Sequence, residues 1–376
     1  MKTAETVTHR ISTIDVARFY GIVLVYYGHI VVQVMYTGSA QAAAQYKFIY
    51  SFHMPLFFLL SGTIVADKKL FLPFFQFSKR ILASRLVPYI FFSILMAITS
   101  LFIQGWFPLG ALTDSGAYLK SFVATLTGFP AFCIPLWFMA LLISVELFHA
   151  LVSRVITRSS VLAIFAVILY ICGFYLNEAY NFVANQKAFW FINEVPVVYV
   201  FYVAGILLKR GGVLTRDLPR LWTRLGAVIC LSLVVLTFDL NEGPFRLIQA
   251  VVIVLSGHGN IILFPLTAFI GSLFILFTAA SSPAWGWLSY LGKNALSLFC
   301  LNGLFYHFVN PVTAKWFTES FGNSHLTVFV YSTAMTVISL VVCLPLVFLL
   351  TNYVPQLVGK PLQDGPIFRP LFNTLR

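Results

Sequence analysis

Charge is scarce in this chain of 376 residues. Asp, Glu, Lys and Arg make up 10% of it, against about 25% in soluble domains. That excludes a soluble enzyme and a disordered chain, whose polarity is high. Cysteine is sparse as well. Cys133, Cys172, Cys230, Cys300 and Cys343 form no C-x-x-C pair. A disulfide scaffold is excluded, and no metal site is expected. The five read as small apolar side chains buried in or beside the spans. An outer-membrane barrel needs strands that alternate polar and apolar over about 10 residues, which does not fit this composition. No basic run is long or interleaved with stacking rings, so nucleic acid is not an expected partner.

What is present is apolar: 60% hydrophobic residues, 39 of them Phe, and a mean hydropathy of +0.90. Several runs reach the roughly 20 residues that span a bilayer as helix. The expected fold is all-α, a polytopic helical membrane bundle of about ten transmembrane helices. The spans are expected near 14–36, 46–66, 85–105, 132–153, 159–177, 193–208, 224–239, 258–281, 294–312 and 326–354. The apolar stretch 244–257 is too short to cross and reads as a re-entrant or interfacial piece that needs protein cover. The start MKTAETVTHR is polar and leads into a full-length span, unlike a cleaved signal. The chain divides into a cytoplasmic N-terminal segment 1–13, a membrane domain 14–354 and a cytoplasmic tail 355–376. It leaves no room for a further soluble domain, and no inverted repeat is visible.

The net charge is +12, from 24 basic and 12 acidic residues. With the N-terminus in the cytoplasm, five basic residues fall on the far side: Lys47, Lys120, Lys187, Arg246 and Lys315. Arg18 lies inside the first span, and the remaining 18 face the cytoplasm. The positive-inside rule supports this orientation and an even number of spans. The expected setting is a bacterial inner membrane, with membrane lipids around the bundle.

Ionisable groups inside a membrane are costly and point to function. The first span, IDVARFYGIVLVYYGHIVVQV, carries Asp15, Arg18 and His29. Eleven residues separate Arg18 from His29, which puts them about 20° apart around the helix and about 16 Å apart along it. Asp15 is one turn before Arg18 and placed to pair with it. The bland alternatives are snorkelling at the interface for Asp15 and Arg18, and a hydrogen-bonded structural imidazole for His29. The functional reading of His29 is a general base. In the second span His53 and Pro55 lie near the outer third, where Pro permits a kink that admits polar partners. Ser61 and Gly62 allow close helix approach. Arg80 and Arg85 precede Pro88 and Tyr89, either as membrane anchors or as a phosphate clamp. Glu146 and His149, one turn apart, read as a pair with each other.

Six segments in order resemble the acyltransferase-3 family of bacterial membrane acyltransferases. They are D-x-x-R with a His eleven residues on (Asp15, Arg18, His29), FHMPLFFLLSG at 52–62, RLVPY at 85–89, PLWFMALL at 135–142, FYVAGILLKRG at 201–211 and LGKNALSLFCLN at 291–302. The likeness covers roughly residues 10–355. It implies transfer of an acyl group, most often acetyl, from cytoplasmic acyl-CoA to a hydroxyl of a surface glycan or lipid-linked saccharide. It implies that His29 is catalytic with Arg18, and that Arg80 and Arg85 hold the CoA phosphates. Acyl-CoA is then a co-substrate, and no tightly bound cofactor is implied. Three positions depart from the family. Its basic pair is spaced R-x-x-R, whereas Arg80 and Arg85 would point about 140° apart on a continuous helix. A shared clamp therefore needs a break, which Pro88 permits. Asn302 stands where many relatives carry a second His, and Phe19 replaces a small residue.

The combined expectation is an O-acyltransferase. His29 takes the proton of the acceptor hydroxyl or carries the acyl group as an acyl-imidazole. Asp15 orients Arg18, and His53, Ser61, Trp137 or Asn302 contact the acceptor. The rivals are a glycoconjugate transporter and a non-catalytic partner of a polysaccharide assembly complex.

Overall fold

A computed structural model of the chain describes residues 2–65, 73–180, 188–215, 218–243, 249–283 and 285–371, with side chains from residue 13 onward. The basic positions 68, 69, 187, 216, 246 and 376, and the side chains of 2 and 10, lie outside them. Among the described residues the structure is all helix and loop, with one isolated bridge between Val252 and Gly257. In hydrocarbon no water meets backbone N–H and C=O groups, and a helix satisfies both within itself.

The helices are α1 (Lys2–Tyr36), α2 (Ala40–Tyr50), α3 (His53–Thr63), α4 (Phe74–Ser100), α5 (Ser115–Leu126), α6 (Ile134–Val155), α7 (Ser159–Ala179), α8 (Val195–Arg210), α9 (Arg220–Thr237), α10 (Leu263–Ser281), α11 (Gly286–Lys293), α12 (Ala295–Ser320) and α13 (His325–Tyr353). Nine helical segments among the described residues are long and apolar enough to cross a bilayer. α1 is the central one and packs against α2, α3, α10, α11, α12 and α13.

The second expected span is the exception to ten continuous crossings. Residues 46–66 fall on two helices of 11 residues each, α2 and α3, which break at Ser51 and Phe52. Pro55 supplies the reason: it has no N–H for the carbonyl four residues back, and its ring crowds that carbonyl. At the break the Phe52 amide turns to the Ile49 carbonyl, and the Ser51 hydroxyl donates to the Phe48 carbonyl in its place at 2.7 Å. Other boundaries move less. α4 begins at Phe74 rather than 85, because Lys79, Arg80 and Arg85 lower its hydropathy without breaking the helix. α10 begins at Leu263 rather than 258, where the Asn260 side chain accepts from the Ile262 and Leu263 amides at 2.9 and 3.1 Å.

α4 and α12 each contain a π turn, at Leu82–Leu86 and Phe305–Val309. Each precedes a proline, Pro88 or Pro311. Pro311 leaves the His307 carbonyl without its helical donor, and the Trp106 amide donates to it at 2.9 Å. His307 completes the joint: its Nε2 accepts from the Ile134 amide at 3.1 Å and its Nδ1–H donates to the Trp106 carbonyl.

α3 and α8 interlock through two glycines. A Cβ at Gly62 would overlap the Tyr202 carbonyl oxygen, and one at Gly205 would overlap the Leu59 carbonyl oxygen. Close approach of small residues is how membrane helices gain packing where no hydrophobic effect drives them together. Gly205→Leu is expected to lower stability by at least about 1–3 kcal/mol, read as a lower thermal midpoint in detergent. An unchanged midpoint would refute the interlock.

The described part of 244–257 crosses nothing. Ala250, Val251, Val252 and Ile253 are buried beneath other elements, so the irregular backbone has its protein cover. A fully buried carboxylate fastens this loop. Glu194 accepts from the Ser256 hydroxyl at 2.5 Å and from Asn193 Nδ2 at 2.9 Å, and its other oxygen faces His258 Nε2 at 2.7 Å. Breaking a buried pair strands the remaining partner, at about 3–5 kcal/mol. Glu194→Ala is therefore expected to lose stability on that scale, seen as early thermal aggregation of the purified protein, whereas a midpoint equal to wild type contradicts it.

All five cysteines are free. Four are buried, but Cys172 is exposed, contrary to expectation. It lies on the peripheral α7, beside the exposed Ile168, Ile171 and Tyr175, where lipid rather than protein supplies the apolar contact.

Candidate active site

The site is strung along α1. At one end Arg18 Nη1 meets Asp15 Oδ1 at 3.1 Å, and the second Asp15 oxygen faces the Ser289 hydroxyl at 3.5 Å. Arg18 lines a cavity of about 210 Å³ together with Arg85, Lys293 and Lys360. The Arg85 guanidinium pairs with Glu146 Oε1 at 3.3 Å. The sequence spacing had paired Glu146 with His149, and the structure adds a partner from another helix to each. His149 Nδ1 bonds the Tyr199 hydroxyl at 2.8 Å, as Arg85 reaches Glu146 from α4. Lys293 lies within electrostatic reach of Asp15, which it shares with Arg18. Among the described residues no carboxylate is in salt-bridge distance of Lys360, so the four cations face two carboxylates and the cavity carries a net positive charge, which makes it an anion site.

The helix is not broken between Arg80 and Arg85 but widens there into the π turn of α4. That turn does not produce a shared clamp at the cavity, because Arg85 lines the wall and Arg80 does not. Inward, the cavity ends on Ile22, Phe57, Phe138 and Phe299. Phe138 stands 5.7 Å from both Phe57 and Phe299, ring centre to ring centre.

His29 lies beyond this aromatic floor, about 16 Å along α1 from Arg18. Its ring is buried and turned into the bundle, 4.9 Å from the Tyr306 ring. Nδ1–H donates to Asn302 Oδ1. That bond selects one tautomer and leaves the lone pair on Nε2. Asn310 Nδ2 holds the His29 backbone carbonyl at 3.2 Å. Three polar atoms near this imidazole are buried without a hydrogen-bond partner among the described residues: Gln33 Nε2, Asn302 Nδ2 and Asn310 Oδ1. Native buried polar atoms are rarely left so. They lie on the helix turn after His29 and on the facing helix.

The remaining expected residues are placed differently. His53 is buried, its Nδ1 on the Ile49 carbonyl at 2.9 Å and its ring against Tyr50. It caps the break in α2–α3 and lies within electrostatic reach of His29. Ser61 lines the cationic cavity, its hydroxyl on the Phe57 carbonyl at 2.8 Å. Trp137 packs in the core against Phe191 and does not line the cationic cavity. Asn302 is engaged with the imidazole itself. Sequence reasoning missed Lys293, Lys360, Gln33, Asn310 and Tyr306. Gln33 was legible, being polar and one turn from His29 on one face. Lys360 was not, because nothing in the sequence folds 355–371 back under the bundle. Among the described residues no group of three or more His, Cys, Asp or Glu is placed to hold a metal.

The protein is thus a helical membrane bundle that holds a tautomer-fixed imidazole behind a cationic cavity. The chain matches the acyltransferase-3 family, described as an acyltransferase domain, over residues 11–348. It belongs to that family and is a multi-pass membrane acyltransferase. No curated protein and no solved structure matches it.

Proposed function

We propose that the protein transfers an acyl group, acetyl by the family's habit, from acyl-CoA to a hydroxyl of a cell-surface or lipid-linked glycan. The observation that carries this reading is His29 with Nδ1 committed to Asn302 and Nε2 open, on the same helix as Arg18 of the anion site. The CoA phosphates bind among the cavity cations, and the flexible arm delivers the thioester inward. Phe57, Phe138 and Phe299 must swing aside to let it pass. His29 Nε2 takes the proton of the acceptor hydroxyl, and that oxygen forms the new bond to the thioester carbonyl carbon. The carbon–sulfur bond breaks, and the departing thiolate takes the proton back from the imidazolium. Asn302 Oδ1 stabilises the positive ring meanwhile. The unpaired atoms of Gln33, Asn302 and Asn310 answer a sugar's hydroxyls. The excess of basic residues on one side supports a cytoplasmic-membrane setting with both termini and the cationic cavity inside the cell.

The test is incubation of the purified protein and an acceptor glycan from its host with acyl-labelled acyl-CoA. Release of free CoA with label on the glycan supports the reading. A transporter or a non-catalytic assembly partner releases no CoA, and that result would end it.

A further inference from the structure

The family match stops at residue 348, but one wall of the cationic cavity comes from beyond it. After α13 the chain makes a short helical turn, Pro355–Val358, and folds back under the bundle. Gln356 Nε2 holds this strap closed through the carbonyls of Gln363 and Phe368, at 2.7 and 2.8 Å. Val358 is buried, and Gly359 follows it in the left-handed region at φ 85°. A Cβ there would strike the Leu296 side chain, so the turn needs glycine on both counts. The turn presents Lys360 to the cavity.

We infer that Lys360 is a phosphate-binding residue of the donor site, gripping the CoA polyphosphate together with Lys293; this rests on the acyl-CoA reading above. Its Nζ is steadied by Asn294 Oδ1 at 2.8 Å, a neutral acceptor that leaves the charge unspent. Arg18 and Arg85 already have Asp15 and Glu146. Lys293 shares Asp15 with Arg18, so Lys360 is the cavity cation with no carboxylate in salt-bridge distance among the described residues, and a polyanion satisfies the excess of positive charge. Burial pushes the Lys360 ammonium below its ordinary pKa. A bound phosphate reverses that push by favouring the charged form. Arg80, which the family pattern offers for this task, does not line the cavity.

The experiment compares acetyl-CoA with acetyl-pantetheine, the same thioester without phosphates, as donors for wild type, Lys360→Met and Lys360→Arg in the full-length purified protein. Lys360→Met is expected to raise KM for acetyl-CoA about 10-fold and to leave KM for acetyl-pantetheine within about twofold. Lys360→Arg is expected to restore most of the acetyl-CoA value. Should Lys360→Met not accumulate in membranes, Lys360→Gln keeps a donor for Asn294 and serves the same comparison. Equal rises for both donors would mean a structural strap and overturn the inference. So would no rise for either. A wild type that processes neither donor overturns the acyltransferase reading along with it, whereas an active wild type with an indifferent Lys360 overturns this assignment alone.

Discussion

His29→Ala is expected to lower kcat for acyl transfer by about 10²–10⁴-fold, the usual worth of a positioned general base. The binding of acyl-CoA should change less than about twofold, because the phosphates sit among cations roughly 16 Å away along the same helix. The loss should therefore appear in kcat and not in KM for the donor. His29→Gln separates chemistry from packing. It fills much of the imidazole's volume and can still donate to Asn302 Oδ1, but it offers no base. It should be as inactive as alanine. Rates of the purified variants, normalised to folded protein in detergent, decide the matter. A His29→Gln enzyme within about threefold of wild type would remove the imidazole from the mechanism.

Asn302→Leu is the second large effect, a fall in kcat of about 100-fold, the scale of a reacting group displaced by about 1 Å. Leucine keeps the volume and removes the acceptor from Nδ1–H. The ring then loses both its fixed tautomer and the partner that supports its positive charge during transfer. Asn302→Asp retains an acceptor at the same place and should keep much more activity than leucine. The ¹⁵N shifts of labelled imidazole report the tautomer directly: a single Nδ1–H species in wild type, a mixture in Asn302→Leu. Equal activity of the leucine and wild-type proteins would mean that the Asn302 contact is packing only.

Much of this site was legible before any fold was known, and the reason is helix geometry. Arg18 and His29 lie eleven residues apart, and no tertiary information is needed to place them on one face. Asp15 against Arg18 follows from the same periodicity, and the structure has that pair at 3.1 Å. Pro55 announced a disturbance in the second span, since a missing N–H is a property of the residue itself. Its extent, two short helices rather than one kinked one, depended on what Ser51 and Phe52 could pack against.

Other relationships were read in part or not at all because they join distant parts of the chain. Glu146 and His149 were read as a pair at i,i+3, and each has a partner on another helix that the spacing did not show, Arg85 and Tyr199. Spacing proposes neighbours but does not rank them. Arg80 and Arg85 were offered as one clamp, and the π turn between them left only Arg85 on the cavity. Asn302 was assigned to the acceptor without its contact to His29: its amide oxygen is on Nδ1, and its Nδ2 is left without a partner among the described residues.

A membrane-spanning helical chain, with Asp15, Arg18 and His29 in line along its first helix, follows from the order of residues alone. Hydrophobic run length and 3.6-residue periodicity are local quantities, and they act before any two helices meet. Which groups gather around those three came from packing: Asn302 on the imidazole, Arg85 with its Glu146 beside Arg18, and Lys360 brought from beyond the last helix to the cationic cavity. Those contacts span from about 60 to about 340 residues of chain. They exist because burial forces each polar group to find a partner wherever the packing puts one, a choice that no local pattern encodes.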